Sequence, residues 1–112
     1  MPIRRRSAAA FAVALLAAPT LGFAQTPSFT LTIKDHQFDP KELTVPAGQK
    51  FELKVVNQDK TPEEFESKDL HREKVVPGGG QISLTLGPLK PGRYEFFGEF
   101  NPKTARGHIV AK

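Results

Sequence analysis

The chain has 112 residues, a net charge of +4 and no cysteine. Without cysteine the protein cannot form disulfides, thiolate metal sites or thiol nucleophiles, so its stability must come from a packed apolar core. The excess of basic residues lies at the N-terminus. Residues 25–112 carry 13 basic and 12 acidic residues, so the overall charge gives no reason to expect nucleic-acid binding.

Residues 1–24 are predicted to be a cleavable signal peptide. Arg4–Arg6 form a basic region, the apolar run Ala8–Gly22 follows, and small residues precede the expected cleavage site after Ala24. The apolar run is shorter than the about 20 residues that a membrane-spanning helix needs. We therefore expect a periplasmic protein whose mature form, residues 25–112, is one domain without an integral membrane span. The route of export, Sec or twin-arginine, is left open.

About seven short strands are predicted in this domain. Three of them alternate apolar and polar residues, which is typical of half-buried strands. Turns rich in proline and glycine separate the strands at intervals of about 8–12 residues. These features predict an all-β protein, a single antiparallel β-sandwich, with one helical turn near Pro102–Arg106. The predicted strands are 29–33, Glu42–Val45, 51–55, Phe65–Leu70, 82–86, Arg93–Phe97 and His108–Ala111.

Several motifs follow one another in the order found in small cupredoxins. Phe38–Pro40 with Leu43–Gly48 resembles the opening F-x-P-x-x-[IL]-x-V-x-x-G, and Lys90–Phe96 resembles a later landmark of the same family. Tyr94–Gly107 has the outline of the loop that holds copper in cupredoxins. The resemblance extends from about Phe29 to Lys112. It implies a Greek-key β-sandwich of the cupredoxin type.

The usual copper ligands of a cupredoxin are absent from this loop. The cysteine position holds Gly98, the histidine position holds Asn101, and the methionine position falls on Thr104 or Ala105. The upstream histidine position holds Glu63. Because blue-copper centres depend on a cysteine thiolate, a type 1 site is not expected.

Two further segments are similar to a particular group of cupredoxins. Pro62–Ser67 and Glu73–Gly78 resemble segments of the EfeO-type and FtrB-type periplasmic cupredoxins of bacterial ferrous-iron uptake systems. The resemblance implies an exported accessory protein that binds a copper or iron ion. A ferrous-iron permease and a periplasmic metal-binding protein are the implied partners. Ferroxidase activity is left open because the sequence identifies no electron acceptor, and no hydrolase or transferase motif is present.

The candidate metal ligands are carboxylates and imidazoles. Carboxylates are hard ligands that suit iron and Cu(II) when one or two imidazoles complete the set. If Phe65 points into the core, Glu64 and Glu66 share the opposite face of their strand. Whether Glu63 or Glu64 occupies the site is left open, and His71 is the preferred histidine. The complete set of candidates is Glu63, Glu64, Glu66, His71, Glu95, Glu99 and His36.

The same acidic segment has a second interpretation. Charged residues on an edge strand prevent pairing with other chains, and Lys60, Lys68, Arg72 and Lys74 would offset the acidic field of this segment. The alternative function is then that of a metal-free interaction module. Such a module would dock on a periplasmic or membrane partner through the edge that carries Glu63–Glu73.

Overall fold

The computed structural model describes residues 25–112, so the predicted signal peptide lies outside the described residues. Within them no helix is long and apolar enough to cross a membrane. The described chain instead forms nine strands. They are β1 (Ser28–Lys34), β2 (Gln37–Asp39), β3 (Glu42–Val45), β4 (Phe51–Asn57), β5 (Glu63–Ser67), β6 (Arg72–Val76), β7 (Gln81–Leu86), β8 (Gly92–Gly98) and β9 (Arg106–Ala111).

The strands form two sheets, in the orders β2-β1-β4-β7 and β3-β9-β8-β5-β6. The predicted all-β sandwich is confirmed, but it is not purely antiparallel. Strands β1 and β4 are parallel, and so are β3 and β9. Alternation of apolar residues shows which face of a strand is buried and does not show the direction of its neighbour, so the sequence could not reveal these two pairs.

Two strands of the nine were missed by the sequence analysis. Gln37–Asp39 and Arg72–Val76 each bury a single side chain, so neither shows the alternation that identifies a strand. The strand predicted at Phe65–Leu70 runs instead from Glu63 to Ser67. The single turn expected near Pro102–Arg106 is present, since the carbonyl of Asn101 accepts bonds from the N–H groups of residues 104 and 105.

Three phenylalanines form the centre of the core beneath one end of the sandwich. Phe38 from the first sheet contacts Phe65 and Phe96 from the second, with ring centroids 6.2 and 5.0 Å apart. Both contacts are edge-to-face, the arrangement that the charge distribution of aromatic rings favours. All three rings are fully buried. The two sheets are therefore joined at this end by aromatic packing.

The same end of the sandwich brings together three segments that are distant in sequence. Phe65 of β5 lies opposite Gly98 of β8, and the Glu99 N–H donates to the carbonyl of Glu64 at 2.9 Å. The Gly98 N–H donates to the carbonyl of Ala105 at 2.8 Å, which closes the β8–β9 loop on itself. The start of β5, the end of β8 and this loop thus meet at one place.

We expect Phe38→Ala to lower the free energy of unfolding by about 3–5 kcal/mol, because it leaves a cavity between Phe65 and Phe96. Phe100→Ala is the matched control, since the Phe100 side chain is 50% exposed and its removal should cost less than about 0.5 kcal/mol. Urea denaturation of the purified proteins measures both changes. Similar losses for the two variants would contradict this description of the core.

Candidate functional site

Glu63, the first residue of β5, is only 2% exposed. One carboxylate oxygen, Oε1, accepts hydrogen bonds from the backbone N–H groups of Glu64 at 2.9 Å and Phe100 at 2.8 Å. The other, Oε2, accepts a bond from Nδ2 of Asn101 at 2.8 Å. A carboxylate has about four acceptor positions, and three of them are occupied here. Burial of this acidic group is thus compensated by donors from its own strand and from the β8–β9 loop.

Gly98 lies against this carboxylate. A Cβ atom at this position would come within 2.5 Å of Cδ and 2.6 Å of Oε2 of Glu63, and within 2.7 Å of Cβ of Ala105. Such distances are well below van der Waals contact. Residue 98 must therefore be glycine while Glu63 is in place.

Four positions that were compared with copper ligands in the sequence do converge in space. We call Glu63, Gly98, Asn101 and Ala105 the Glu63 cluster. The carboxylate of Glu63 accepts a hydrogen bond from the Asn101 side chain and lies against Gly98. Ala105 is fully buried beside them. Glu63 and Glu64, either of which was expected to occupy the site, point in opposite directions. Glu63 points inward, and Glu64 points outward.

A second group of carboxylates lies on the outer face of the five-stranded sheet. Phe65 is buried and its neighbours Glu64 and Glu66 are half-buried, so these two glutamates share the outer face as predicted. Glu73 of β6 lies directly opposite Glu66, and Glu99 follows the end of β8 beside Glu64. We call Glu64, Glu66, Glu73 and Glu99 the carboxylate face.

The charges of the carboxylate face repel one another. Partial burial, followed by the charges of Glu73 and Glu99, raises the pKa of Glu64 above its ordinary value. Partial burial and then the charges of Glu99 and Glu73 likewise raise the pKa of Glu66, with a further contribution from Glu64. Within residues 25–112 none of the four forms an ion pair. A cation would therefore be attracted to this face.

Strand alternation separates nearby basic residues from these carboxylates. Arg72 and Lys74 of β6 lie opposite Ser67 and Phe65, which point to the inner side of the sheet. The Arg72 guanidinium extends towards the other sheet and donates to the carbonyl of Thr85 at 2.9 Å. The two basic residues thus occupy the opposite face of β6 and do not pair with Glu73.

The remaining predicted ligands lie at three different places. His71, in the β5–β6 turn with φ of 57°, lines a shallow depression together with Glu66, Glu73 and the basic residues Lys68 and Arg72, so it borders the carboxylate face. Glu95 is paired with Arg93 at 2.6 Å further along β8. His36 lies in the β1–β2 turn, near the β8–β9 loop, because its carbonyl accepts a bond from Oγ1 of Thr104.

The His36 turn is held by a carboxylate of its own. Asp59 accepts hydrogen bonds from the N–H groups of His36 and Asp35 at 2.9 and 2.8 Å. These bonds, that from His36 most strongly, lower the pKa of Asp59. Both turn residues have positive φ, which this anchoring stabilises. The position of His36 is explained by the turn itself.

The predicted ligands do not surround one point. In the part of the chain that the structure describes, no group of three or more histidine, aspartate or glutamate side chains is arranged to hold a metal ion. Three of the seven, Glu64, Glu66 and Glu99, lie together with His71 at their border. Sequence reasoning missed Glu73 as a member of this group, because it lies on one of the two strands that were not predicted.

A family model described as "Cupredoxin-like domain" matches residues 7–111. Among curated proteins, the uncharacterized protein RP394 of Rickettsia prowazekii (strain Madrid E) is 52% identical over 80 residues, which is 71% of this chain and 64% of the relative. The matched part is thus less than two thirds of the relative's length.

Solved structures similar to this one include two kinds of copper protein. Auracyanin A, described as a "blue" copper protein from Chloroflexus aurantiacus, matches with a TM-score of 0.67 and 14% identity over 79% of this chain and 100% of its own. Amicyanin from Paracoccus versutus matches with a TM-score of 0.60 and 17% identity over 81% of this chain and 85% of its own. At these identities the likeness concerns the fold.

We expect Glu66→Gln to stabilise the protein at about pH 7 by removing one of the mutually repelling charges. A raised pKa of Glu66 means that the folded state binds the carboxyl proton more tightly than the unfolded state does. The stability that this proton adds is fully present below the ordinary glutamate pKa of about 4.3 and is lost as the pH rises through the folded-state pKa. The difference between Glu66→Gln and wild type should therefore vanish at about pH 3.5.

Thermal unfolding at both pH values measures this effect. Glu52→Gln is the matched control, because Glu52 lies on β4 in the other sheet, and its midpoint should follow that of the wild type at both pH values. A lower midpoint for Glu66→Gln at neutral pH would show that Glu66 makes a stabilising contact instead.

Proposed function

The chain belongs to the cupredoxin-like domain family, and we propose that it is an exported accessory protein of ferrous-iron uptake that binds an iron or copper ion on its carboxylate face. The family includes metal-binding and electron-transfer modules, and the solved copper proteins named above share its fold. The observation that carries the proposal is the set of four outward carboxylates without a paired cation among the described residues.

A type 1 copper centre does not fit this chain. Such a centre takes a thiolate and two imidazoles, whereas the corresponding positions hold Gly98, Glu63 and Asn101. The carboxylate of Glu63 already uses three of its about four acceptor positions within the protein. The proposal therefore includes no blue-copper electron transfer and no step at the Glu63 cluster.

The carboxylate face has the chemistry for a hard or borderline cation. Oxygen ligands suit Fe(II), Fe(III) and Cu(II), and the imidazole of His71 borders Glu66 and Glu73. The glutamates are long and only partly buried, so rotation about their side-chain bonds can bring their oxygens to one ion. Partial burial and then mutual repulsion raise the pKa values of Glu64 and Glu66, and binding of a cation would relieve the repulsion.

We extend the proposal to the cellular location and the partners of the protein. Residues 1–24 would direct export and be removed after Ala24, leaving residues 25–112 in the periplasm. There the protein would hand its ion to a ferrous-iron permease, together with a second periplasmic metal-binding protein. Support for these partners comes from the similarity of Pro62–Ser67 and Glu73–Gly78 to segments of iron-uptake cupredoxins.

A second candidate function is docking on a partner protein without a metal. It is favoured by two large apolar side chains that are exposed at the border of the carboxylate face. Val75, opposite Glu64, is 47% exposed, and Phe100, next to Glu99, is 50% exposed. Exposed apolar groups beside charges are typical of interaction surfaces.

The metal-binding proposal predicts that the purified protein binds Fe(II) under anaerobic conditions, or Cu(II), with micromolar affinity. We expect Glu64→Gln combined with Glu66→Gln to weaken binding at least about tenfold, since two of four charges are removed. Isothermal titration calorimetry measures the affinities. Binding should also weaken as pH falls, because protons compete for carboxylates of raised pKa.

Glu52→Gln on the opposite sheet is the control and should bind as the wild type does. Absence of binding for both metals would overturn the metal-binding proposal. If instead Glu64→Gln changes the affinity for a partner protein and leaves metal content unchanged, the docking function is supported. Equal metal affinities for the double variant and the wild type would show that the metal binds outside the carboxylate face.

A further inference from the structure

We propose that the buried carboxylate of Glu63 replaces a metal ion as the cross-link between β5 and the β8–β9 loop. The proposal concerns the Glu63 cluster and does not depend on ion binding at the carboxylate face. It states that this end of the fold is held by an anion belonging to the chain itself. The protein would then need no metal to keep its β8–β9 loop in place.

The hydrogen bonds of Glu63 join the same segments that a metal ion would join. A metal bound at positions 63, 98, 101 and 105 would join the start of β5 to the end of β8 and the following loop. The carboxylate of Glu63 makes the same join, because two of its three donors, the Phe100 N–H and the Asn101 side chain, belong to that loop. The third donor, the Glu64 N–H, fixes the carboxylate relative to its own strand.

The Glu63 carboxylate occupies the space that a side chain at residue 98 would need. A ligand side chain at residue 98 and the carboxylate of Glu63 exclude each other, since even a methyl group there would lie 2.5 Å from Cδ of Glu63. Glycine at 98 and alanine at 105 leave the volume that the carboxylate fills, and both residues are buried. The absence of a side chain at residue 98 is thus coupled to the presence of Glu63.

The three hydrogen bonds to Glu63 also stabilise the β8–β9 loop energetically. A buried carboxylate is costly unless hydrogen bonds replace its hydration, and bonds to a charged group are about twice as strong as those between neutral groups. Three such bonds at 2.8–2.9 Å make this end of the β8–β9 loop hard to open. A separate backbone bond, from the Glu99 N–H to the carbonyl of Glu64, joins the same two segments beside the carboxylate face.

Amide hydrogen exchange followed by NMR tests the proposal. In wild-type protein dialysed against EDTA, we expect slow exchange at the Glu64 and Phe100 amides, and no further slowing when an excess of Zn(II), a diamagnetic ion, is added. Glu63→Ala should speed exchange at Phe100 by about 10- to 100-fold, because it removes the oxygen that accepts the Phe100 N–H. The Leu53 amide in β4 of the same variant is the reference for global stability.

Rapid exchange at Glu64 and Phe100 in the EDTA-treated wild type that slows only on addition of metal would overturn the proposal. So would exchange at Phe100 that changes by less than about twofold relative to Leu53 in Glu63→Ala. If Glu63→Ala yields no folded protein, Asn101→Ala, which removes the donor to the other carboxylate oxygen, should speed exchange at Phe100 by about tenfold. An unchanged rate in Asn101→Ala would then overturn the proposal.

Discussion

A single buried carboxylate sets the conditions for one whole end of this protein. An ionised side chain can be removed from water only where donors replace its hydration, and Glu63 obtains them from β5 and the β8–β9 loop. This requirement fixes the position of the Phe100 amide, selects an amide side chain at Asn101 and excludes any side chain at Gly98. The backbone path of the loop follows from these three conditions.

The cupredoxin-like fold of this chain does not depend on a bound metal ion. Aromatic packing of Phe38, Phe65 and Phe96 holds the two sheets together, and none of these contacts needs a metal. The Glu63 cluster fills the interior at the end where blue-copper ligands would lie. The carboxylates of the carboxylate face lie on the outside of the sheet, where they repel one another.

Much of this arrangement follows from the sequence, and the remainder follows from pairing between strands. Alternation around Phe65 correctly placed Glu64 and Glu66 on one face, and the ordered motifs correctly indicated the family. The sequence does not show which strand lies beside β5, so the contribution of Glu73 from an unpredicted edge strand was missed. Nor does it show distances, so Glu63 was grouped with the exposed acids although its carboxylate points inward and is satisfied by Asn101.

Anomalous diffraction at the copper absorption edge, from crystals grown with excess Cu(II), tests the central claim most directly. The account predicts no copper peak within coordinating distance of the Glu63 carboxylate, with that carboxylate still bonded to the Phe100 N–H and the Asn101 side chain. Any bound ion should lie on the outer carboxylate face. A copper peak between residues 63, 98 and 101, with Glu63 turned away from its donors to coordinate the ion, would contradict it.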